Sequence, residues 1–562
     1  MQKSNLFKLF DKWLVLLVGV LCVFLTSFAL FRSEFFRPHD YTHAARIVEM
    51  QRSIQAGEFP VRWSENFGFG YGMPLFNFYA PFPYYLAQIP NGIFGVIIAI
   101  KFLYLFNAIV AFIGMYLLAR EYWGKYGAIL SAIIFSFSTY RALDLYVRGA
   151  VGEVFAMVAI PFALVGVVYL EKQKKGGFFW LSMSIAITLT SHNLLGLLLV
   201  PLVIIFAGTL AAISTKTREE KLRYLRSVGL SLLMGIGLCA FYVIPAYAEK
   251  GFTRVEQTIT TGDFDFHNHF VALRQLLSGT WGYGGSIPGL EDGLSFALGT
   301  VALLLAASAI MMIWLKGSAF SKRLSIVLFF FFALFTWLTT SKSLWIWEHV
   351  STLRFLQFPW RLLAFSHVFL ALLGGGLVVG VHKRVVSVVI LSAVLIFGVT
   401  QAKLFVPEKY LRDYSMYYRT DESFIRETLS LTLNDYLPPE VVGTNYPAPL
   451  ENRLELISGE GTIKIIQEKP ASLLSEVFCN TGCKLQINVF SFPGWRAYLN
   501  GVSLPLLPDT ATATYNVEIP KGEHELLVRL ERTPLRGLSE LLSLVAWVIF
   551  IIGVVQLKRI KK

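Results

Sequence analysis

Residues 37–50, RPHDYTHAARIVEM, place two carboxylates, two imidazoles and two guanidinium groups directly after a long hydrophobic run. Such groups at the edge of a membrane could supply a general base, hold a metal ion or bind a phosphate. Asp40 is the candidate catalytic base. The apolar spacing after Asp40 also predicts a helix lying at the membrane interface. Asp40 could simply cap the start of that helix, which stabilises a helix by about 1 kcal/mol.

His39 and His43 are four residues apart, so both rings could lie on one face of the predicted helix as metal ligands. Two histidines alone do not define a metal site. Both are therefore candidate substrate-binding residues beside Asp40, and a divalent metal ion is one option for a cofactor.

The composition is that of a protein that crosses the bilayer many times. Of 562 residues, 55% are hydrophobic and only 15% are charged, which a soluble enzyme of this length would not show. The first long run has no cleavage site and is interpreted as an uncleaved helix. About twelve runs have roughly the length of a spanning helix: 14–31, 101–119, 127–140, 154–170, 178–191, 194–213, 228–246, 296–315, 324–341, 361–381, 385–402 and 538–557.

Basic residues indicate the orientation of these runs. Lys and Arg recur in alternate connections and in both terminal segments, which the positive-inside rule assigns to the cytoplasm. The net charge of +13 is then mostly a topology signal of a cell-membrane protein, and no nucleic-acid partner is expected. The extracytoplasmic face receives the stretches 32–86, 247–295, 342–360 and 403–537.

This topology divides the chain into a transmembrane domain (1–402), an extracytoplasmic domain (403–537), and a final span with a basic cytoplasmic tail (538–562). In the second domain, short segments rich in β-branched and aromatic residues alternate with turns such as Asn500-Gly501. This pattern predicts an antiparallel β-sandwich. Its expected strands are 453–458, 462–467, 484–491, 495–499, 513–519 and 523–531.

The four cysteines fall into two pairs by position. Cys479 and Cys483 lie in the exported domain, where a disulfide can persist. They could form a disulfide across their short loop or remain two free thiols. Cys22 and Cys239 lie in apolar runs and are predicted to be core residues.

Basic residues near the external membrane level are candidates for contacts with a departing phosphate. They are Arg148, Lys342, Arg354 and Arg361. Arg148 could instead pair with Asp144 at helical spacing, and Arg361 could extend from the end of a span to the interface. Glu153 lies at the mouth of a span, where an acid needs a partner or a function, and Arg148 is available as that partner.

The 247–295 stretch adds Asp263, Asp265, His267 and His269. Asp263, Asp265 and His267 are the candidate ligands of a divalent cation, although a solvated polar loop has the same pattern. Trp281 and Tyr283 could stack on a sugar ring, or they could belong to the interfacial aromatic belt. His192, between two apolar runs, is a further candidate substrate-binding residue.

Two nucleotide-binding patterns are excluded. No Walker-type phosphate loop occurs, and Gly68, Gly70 and Gly72 alternate with Phe69 and Tyr71 after no predicted strand. The glycines therefore indicate an aromatic turn.

Several short motifs follow one another along most of the chain. They are His39-Asp40 with Ala45-Arg46, GEFPVRW from Gly57, GYGMPLF from Gly70, FYAP from Phe78, Arg148-Gly149-Ala150 with Glu153, Ser191-His192-Asn193, the stretch 263–289, LRFLQFPWRLL from Leu353 and PGWRAY from Pro493. In this order they resemble the 6-pyruvoyl-tetrahydropterin synthase-related membrane proteins, which are in turn similar to YfhO-type membrane proteins. The family name does not imply pterin chemistry, since neither a soluble fold nor a three-histidine zinc site is indicated.

The resemblance implies the GT-C architecture. GT-C enzymes are polytopic glycosyltransferases that take sugars from polyprenyl-phosphate carriers and place an acidic residue in the first external loop. Asp40 occupies that position. Many such enzymes have two acids there, whereas the neighbour here is His39, so the metal requirement stays open.

These inferences favour a membrane glycosyltransferase that moves a sugar from a polyprenyl-phosphate donor to a glycan or lipid acceptor in the cell envelope. A transporter or flippase of lipid-linked saccharides is an alternative, which would place charges and broken helices deep in the bundle. A non-catalytic envelope assembly protein, in which Asp40 is only a helix cap, is another.

Overall fold

The computed structural model describes residues 2–413, 415–441 and 446–559. The helices of the first half are α1 (Gln2–Ser27), α2 (His43–Gln55), α3 (Leu75–Phe78), α4 (Phe82–Phe94), α5 (Val96–Ser136), α6 (Thr139–Ala142), α7 (Val151–Glu171), α8 (Gly177–Ser191), α9 (Asn193–Ile213), α10 (Arg218–Leu238) and α11 (Ala240–Ala248). The others are α12 (Val255–Thr258), α13 (Leu273–Ser278), α14 (Thr300–Lys316), α15 (Ala319–Leu338), α16 (Leu344–His349), α17 (Leu363–Gly374), α18 (Lys383–Thr400), α19 (Glu422–Phe424), α20 (Ser430–Thr432) and α21 (Pro534–Arg559).

Seven helical segments in the described part of the chain are long and apolar enough to span a membrane. They are Trp13–Phe31, Val96–Ser136, Val151–Glu171, Asn193–Ile213, Ala319–Leu338, Pro359–Val378 and Pro534–Gln556. Helices α10 and α11 are long and apolar enough for a span only when taken together, and they are bent by 76° at their junction. Helices α8 and α14 and the segment 388–404 are shorter apolar helices.

Each of the twelve predicted runs overlaps a helix, while the number of crossings stays a prediction. Runs 101–119 and 127–140 both fall in α5, which is interrupted at Gly124. The last three residues of the predicted basic tail, 560–562, lie outside the described residues.

The described residues of the C-terminal region form nine strands. They are β1 (Leu454–Ser458), β2 (Gly461–Lys469), β3 (Ser472–Cys479), β4 (Cys483–Ile487), β5 (Trp495–Leu499), β6 (Val502–Leu504), β7 (Leu507–Asp509), β8 (Thr514–Ile519) and β9 (Gly522–Leu530). They form two antiparallel sheets with the orders β1-β4-β8-β7 and β2-β3-β9-β5-β6. All six predicted strands are present, and β3, β6 and β7 are additional. The Asn500-Gly501 turn joins β5 to β6, as its sequence predicts.

The four cysteines form one disulfide and two buried free thiols. A disulfide joins Cys479 at the end of β3 to Cys483 at the start of β4, which decides between the two alternatives. Cys22 and Cys239 are buried free thiols, as predicted.

The sheet region packs on the 32–86 loop through the predicted aromatic turn. Phe69 stacks on Tyr446 with ring centroids 5.2 Å apart, and Tyr71 stacks on Phe490 at 5.0 Å. The Phe490 backbone N–H also donates to the Tyr71 carbonyl over 3.0 Å. The glycine motif therefore docks the sheet region on the 32–86 loop.

Helix α2 confirms the predicted helix, and its place at the membrane interface stays a prediction. His43, Ala44, Ile47 and Met50 are all buried, because α4 and α5 pack against α2. The helix is therefore an internal element of the loop.

A buried carboxylate organises the same loop. Glu49 is 1% exposed and accepts hydrogen bonds from the Ser64 hydroxyl, the Asn66 backbone N–H and side-chain amide, and Arg52, at 2.7 to 3.2 Å. An ionised acid removed from water requires such partners. The loop is thus a folded unit that can hold Asp40 in a defined position.

Gly72→Ala is expected to destabilise the protein by about 3 kcal/mol, since its Cβ would lie 2.3 Å from Nε1 of Trp63 and its φ is +73°. Gly57→Ala is the matched control, because Gly57 has a φ of +92° with nothing within 4 Å of the added Cβ. It should cost only about 1 kcal/mol. Thermal unfolding of the purified variants in detergent measures both losses, and equal losses would contradict the packing argument.

Candidate functional site

Asp40 lies in the turn that precedes α2. Its Oδ1 accepts a hydrogen bond from the Thr42 hydroxyl at 2.7 Å, and its Oδ2 accepts one from Nη1 of Arg46 at 3.1 Å. The N-cap residue of α2 is Thr42, so the interpretation of Asp40 as a helix cap is wrong. The Asp40 side chain is 31% exposed.

Arg46 connects Asp40 to two phenols. Its Nη1 also donates to the hydroxyl of Tyr79 at 2.8 Å and to that of Tyr84 at 3.2 Å, and its guanidinium lies 4.1 Å from the Tyr79 ring centroid. Arg46 is only 4% exposed. Burying a guanidinium is costly unless an acid is paired with it, so Asp40 and Arg46 stabilise each other's charged forms.

His43 occupies the other side of this cluster. Its Nε2 lies 2.6 Å from the Gly149 carbonyl and its Nδ1 lies 2.8 Å from the Tyr84 hydroxyl. A carbonyl only accepts, so the proton belongs on Nε2 and Nδ1 accepts from Tyr84. Burial and the charge of Arg46 lower the pKa of His43 against the opposing effect of Asp40, which keeps the ring neutral.

The pKa of Asp40 is strongly shifted. Burial favours the neutral acid, but the charge of Arg46 and the hydrogen bonds from Thr42 and Arg46 outweigh burial and hold the pKa of this carboxyl well below its usual range. Asp40 is therefore ionised at any physiological pH.

Glu153, at the start of α7, is the centre of a second cluster. It accepts hydrogen bonds from Nη1 of Arg148 at 2.9 Å and from the Tyr140 hydroxyl, and Nε of Arg361 lies 3.3 Å from its Oε2. Arg148 also pairs with Asp144. The predicted pairs of Arg148 with Asp144 and with Glu153 thus both occur, because one guanidinium bridges two acids, while its contact with a phosphate stays a prediction.

Two backbone hydrogen bonds join the clusters. The N–H of His39 donates to the Val147 carbonyl at 2.9 Å, and the N–H of Asp40 donates to the Arg148 carbonyl at 2.8 Å. The 32–86 loop is therefore fixed against the segment that enters α7. This contact brings three guanidinium groups, those of Arg46, Arg148 and Arg361, into one region.

A cavity of about 450 Å³ adjoins this region. Its lining includes His39, Arg148, Asp263, Phe264, Asn268, His269, Ser286, Phe358 and Trp360. Phe358 and Trp360 stack at 4.8 Å, and the Arg148 guanidinium lies 4.4 Å from the Trp360 ring centroid. The Ser286 hydroxyl accepts from the Trp360 indole at 3.1 Å. Aromatic faces beside polar groups suit a ligand that carries hydroxyl groups on an apolar ring.

The predicted metal ligands do not come together. The Nε2 of His39 contacts the Tyr283 carbonyl at 2.9 Å, and both ring nitrogens of His43 are occupied, so these histidines do not share an ion. Asp265 and His267 pair with each other at 2.6 Å on the surface. Within the described ranges, no three His, Cys, Asp or Glu side chains converge, so Asp263, Asp265 and His267 do not fit a divalent cation.

The remaining candidate substrate-binding residues lie in different parts of the structure. Tyr283 contributes its carbonyl beside the cavity, and Trp281 packs edge-on against the Tyr283 ring at 6.1 Å. His192 caps α9 through Nδ1, and burial and the charge of Arg361 lower the pKa of His192 to about 3. Arg354 is exposed over Phe355, and the structure does not bring it into either cluster.

Sequence reasoning missed several residues. Tyr79 and Tyr84 contact Arg46, and Ser286 lines the cavity. Asp435 was also missed; burial raises its pKa against the opposing charges of Arg254 and Arg46, which places it near the first cluster. Tyr79 lies in the FYAP motif and Ser286 in the 263–289 motif, but their contacts arise only through folding.

Comparisons with known proteins identify related chains. The family described as 6-pyruvoyl-tetrahydropterin synthase related domain, a membrane protein, matches residues 76–405, more than half of the chain. Arabinofuranosyltransferase AftD from Mycobacteria is similar in structure, with 14% identity and a TM-score of 0.46 over 71% of this chain and 27% of that chain. This chain therefore spans only a minor part of AftD. No curated protein matched in a sequence search.

Two structures of an archaeal enzyme are also similar. The Archaeoglobus fulgidus oligosaccharyltransferase tethered with an acceptor peptide has 11% identity and a TM-score of 0.40 over 73% of this chain and 59% of that chain. The oligosaccharyltransferase AglB from Archaeoglobus fulgidus, in complex with an inhibitory peptide and a dolichol-phosphate, has 13% identity and a TM-score of 0.40 over 72% of this chain and 57% of that chain.

Arg46→Gln is expected to destabilise the protein by about 3 kcal/mol at neutral pH, because it leaves the Asp40 carboxylate without its cation. In the original protein, the lowered pKa of Asp40 adds stability that is present above the ordinary Asp pKa and is lost as pH falls through the folded value. The deficit of the variant should therefore shrink toward low pH, where Asp40 becomes protonated. Thermal unfolding across pH measures this trend.

The double variant Asp40→Asn/Arg46→Gln should recover part of the loss, because no unpaired charge remains. Arg419→Gln is the control, since Arg419 pairs with Asp421 at an exposed site and should cost less than about 1 kcal/mol. A deficit that does not change with pH would refute the assigned pairing.

Proposed function

We propose, from the premise that this chain belongs to the 6-pyruvoyl-tetrahydropterin synthase-related membrane proteins, that it is a GT-C-type glycosyltransferase of the cytoplasmic membrane. It would transfer a sugar from a polyprenyl-phosphate donor to an envelope or lipid-linked acceptor on the extracytoplasmic face. The observation that carries the proposal is the ionised, partly exposed carboxylate of Asp40, which pairs with Arg46 and whose neighbour His39 lines, together with Arg148, a cavity of about 450 Å³.

Asp40 would act as the base. The acceptor hydroxyl oxygen forms a bond to the anomeric carbon, the bond from that carbon to the phosphate oxygen breaks, and the electron pair leaves with polyprenyl phosphate. The acceptor proton moves to Asp40. The low pKa of Asp40 makes it a weak base, which suits a late proton transfer, because the hydroxyl becomes strongly acidic only as the new bond forms and the sugar has oxocarbenium character.

Arg361 is the candidate for holding the departing phosphate. It uses Nε toward Glu153 and Nη1 toward the Leu356 carbonyl and the Gln357 side chain, which leaves Nη2 for a phosphate oxygen. Its position is already fixed by these contacts. A cation fixed in advance stabilises developing charge without reorganising during the reaction. No step of the proposal requires a metal ion.

The aromatic cavity would hold a sugar ring. Phe358, stacked on the buried Trp360, would offer a ring face, while Ser286 and Asn268 would offer hydrogen-bonding groups. The 247–295 and 403–537 stretches would lie on the same extracytoplasmic side, so the C-terminal sheets could position a large acceptor near Asp40. A lipid-linked donor would reach the site from the bilayer.

Asp40→Asn should reduce transfer by about 10³-fold, because the amide cannot accept the proton. The assay supplies purified protein with a panel of synthetic polyprenyl-phosphate pentoses and hexoses, together with extracted envelope lipids and glycans. Release of polyprenyl phosphate reports turnover whichever sugar is used. Asp413→Asn is the control, because Asp413 is exposed and bonds only locally to Ser415.

Full activity of Asp40→Asn, with unchanged thermal stability, would reject Asp40 as the base. A flippase would move labelled lipid between leaflets of proteoliposomes without releasing polyprenyl phosphate. An assembly protein would do neither. If the original protein behaved as a flippase or as an assembly protein with every donor of the panel, the proposed reaction would be overturned.

A further inference from the structure

A second cavity, distant in sequence from the Asp40 clusters, lies where three segments meet. It measures about 200 Å³ and is formed by the 57–62 turn, the end of β9 and the first turns of α21. We propose that it binds the headgroup of a phospholipid that carries both a phosphate and a primary ammonium group. This proposal is independent of the transfer reaction.

The basic side of the cavity consists of three arginines. Arg62 donates to Oε1 of Glu540 at 2.9 Å, and Nε of Arg532 lies 3.1 Å from Oε2 of the same carboxylate. Nε of Arg536 pairs with the buried Glu249 at 3.0 Å. Three guanidinium groups thus share two carboxylates. The arginines offer a phosphate their N–H donors, while Glu58 and Glu531 also line the cavity.

Arg536 supplies a donor without an acceptor. It is 1% exposed, and among the described residues its Nη2 has no hydrogen-bond partner. A buried N–H group of a charged side chain that lacks a partner is costly, and such groups in folded proteins are usually satisfied by water or a ligand. Because Arg536 lines the cavity, a bound anion could satisfy this group.

Glu58 has a buried carboxylate oxygen that lacks a hydrogen-bond donor. Its Oε1 accepts from the backbone N–H groups of Arg62 at 2.8 Å and Trp63 at 3.3 Å, whereas its buried Oε2 has no partner in the described part of the molecule. Burial raises the pKa of Glu58 to about 7 despite these backbone hydrogen bonds. A donor that also carries positive charge would satisfy Oε2, and a primary ammonium does so.

The surroundings of the cavity indicate a lipid as the source of these groups. Phe59, which lines the cavity, is 70% exposed. On α21, Leu538 and Leu541 are also exposed, directly beside Glu540, at the start of a span. A polar pocket at the beginning of a spanning helix lies at headgroup depth, and the apolar side chains below it can contact acyl chains.

The chemistry distinguishes among headgroups. Phosphatidylethanolamine offers a phosphate to the arginines and N–H donors with positive charge to Glu58. Phosphatidylcholine has a phosphate but no N–H donor, and phosphatidylglycerol has no cation. The bound lipid would connect the 32–86 loop to the junction of β9 and α21 and would thereby stabilise the docking of the C-terminal domain.

The experiment uses the full chain in detergent micelles doped with dioleoyl phosphatidylethanolamine, phosphatidylcholine or phosphatidylglycerol at equal mole fraction. Separate arms contain inorganic phosphate or ethanolamine without lipid. Native mass spectrometry measures retained lipid, and thermal unfolding measures stabilisation. Phosphatidylethanolamine should be retained most and should raise the unfolding midpoint most.

Glu58→Gln should weaken phosphatidylethanolamine retention about tenfold, the effect of losing one hydrogen bond to a charged group, and should abolish its advantage over phosphatidylcholine. Arg532→Gln should weaken retention of all three lipids, because it removes a phosphate contact. Glu518→Gln and Arg496→Gln are matched controls at exposed strand positions and should leave retention unchanged.

Equal retention of the three lipids by the original protein would overturn the proposal. So would an unchanged preference in a folded Glu58→Gln variant. Full stabilisation by inorganic phosphate alone would show a simple anion site instead of a lipid site.

Discussion

The charged states and contacts of the surrounding residues depend on the ion pair between Asp40 and Arg46. Arg46 is buried, so it must keep an ionised acid in contact, and Asp40 can remain ionised against partial burial only because Arg46 is there. Tyr79 and Tyr84 then satisfy further hydrogen-bonding capacity of the same guanidinium. A carboxylate held in this way cannot reorient freely, which is what a group that must meet a reacting hydroxyl requires.

The same principle operates around Glu153. Arg148, Arg361 and Tyr140 surround this acid at the start of a span, where an unpaired charge would be expensive. Because backbone hydrogen bonds connect residues 39 and 40 to residues 147 and 148, the two charged clusters cannot move independently. The region therefore contains cations whose positions are set by protein contacts before any ligand arrives.

The C-terminal sheets depend on the 32–86 loop through aromatic contacts. The glycine motif exposes Phe69 and Tyr71 to Tyr446 and Phe490, and its tight backbone leaves no room for larger residues at Gly72. A motif that resembled a nucleotide cradle in composition is thus a packing surface. It positions the second domain over the loop that carries Asp40.

The sequence by itself determined the helical membrane class and the strand segments of the C-terminal region, and it indicated Asp40 as the candidate base. These follow from local properties: hydrophobic length reports partition into lipid, alternation reports a strand, and a carboxylate just after the first apolar run is conspicuous. Only the tertiary structure decided that Arg46 is the partner of Asp40, that α2 is internal, that His39 and His43 face different partners, and that Ser286 and Trp360 share a cavity. The reason is physical: those contacts join segments far apart in the chain, and their energy depends on burial and mutual geometry, which no local pattern of residues contains.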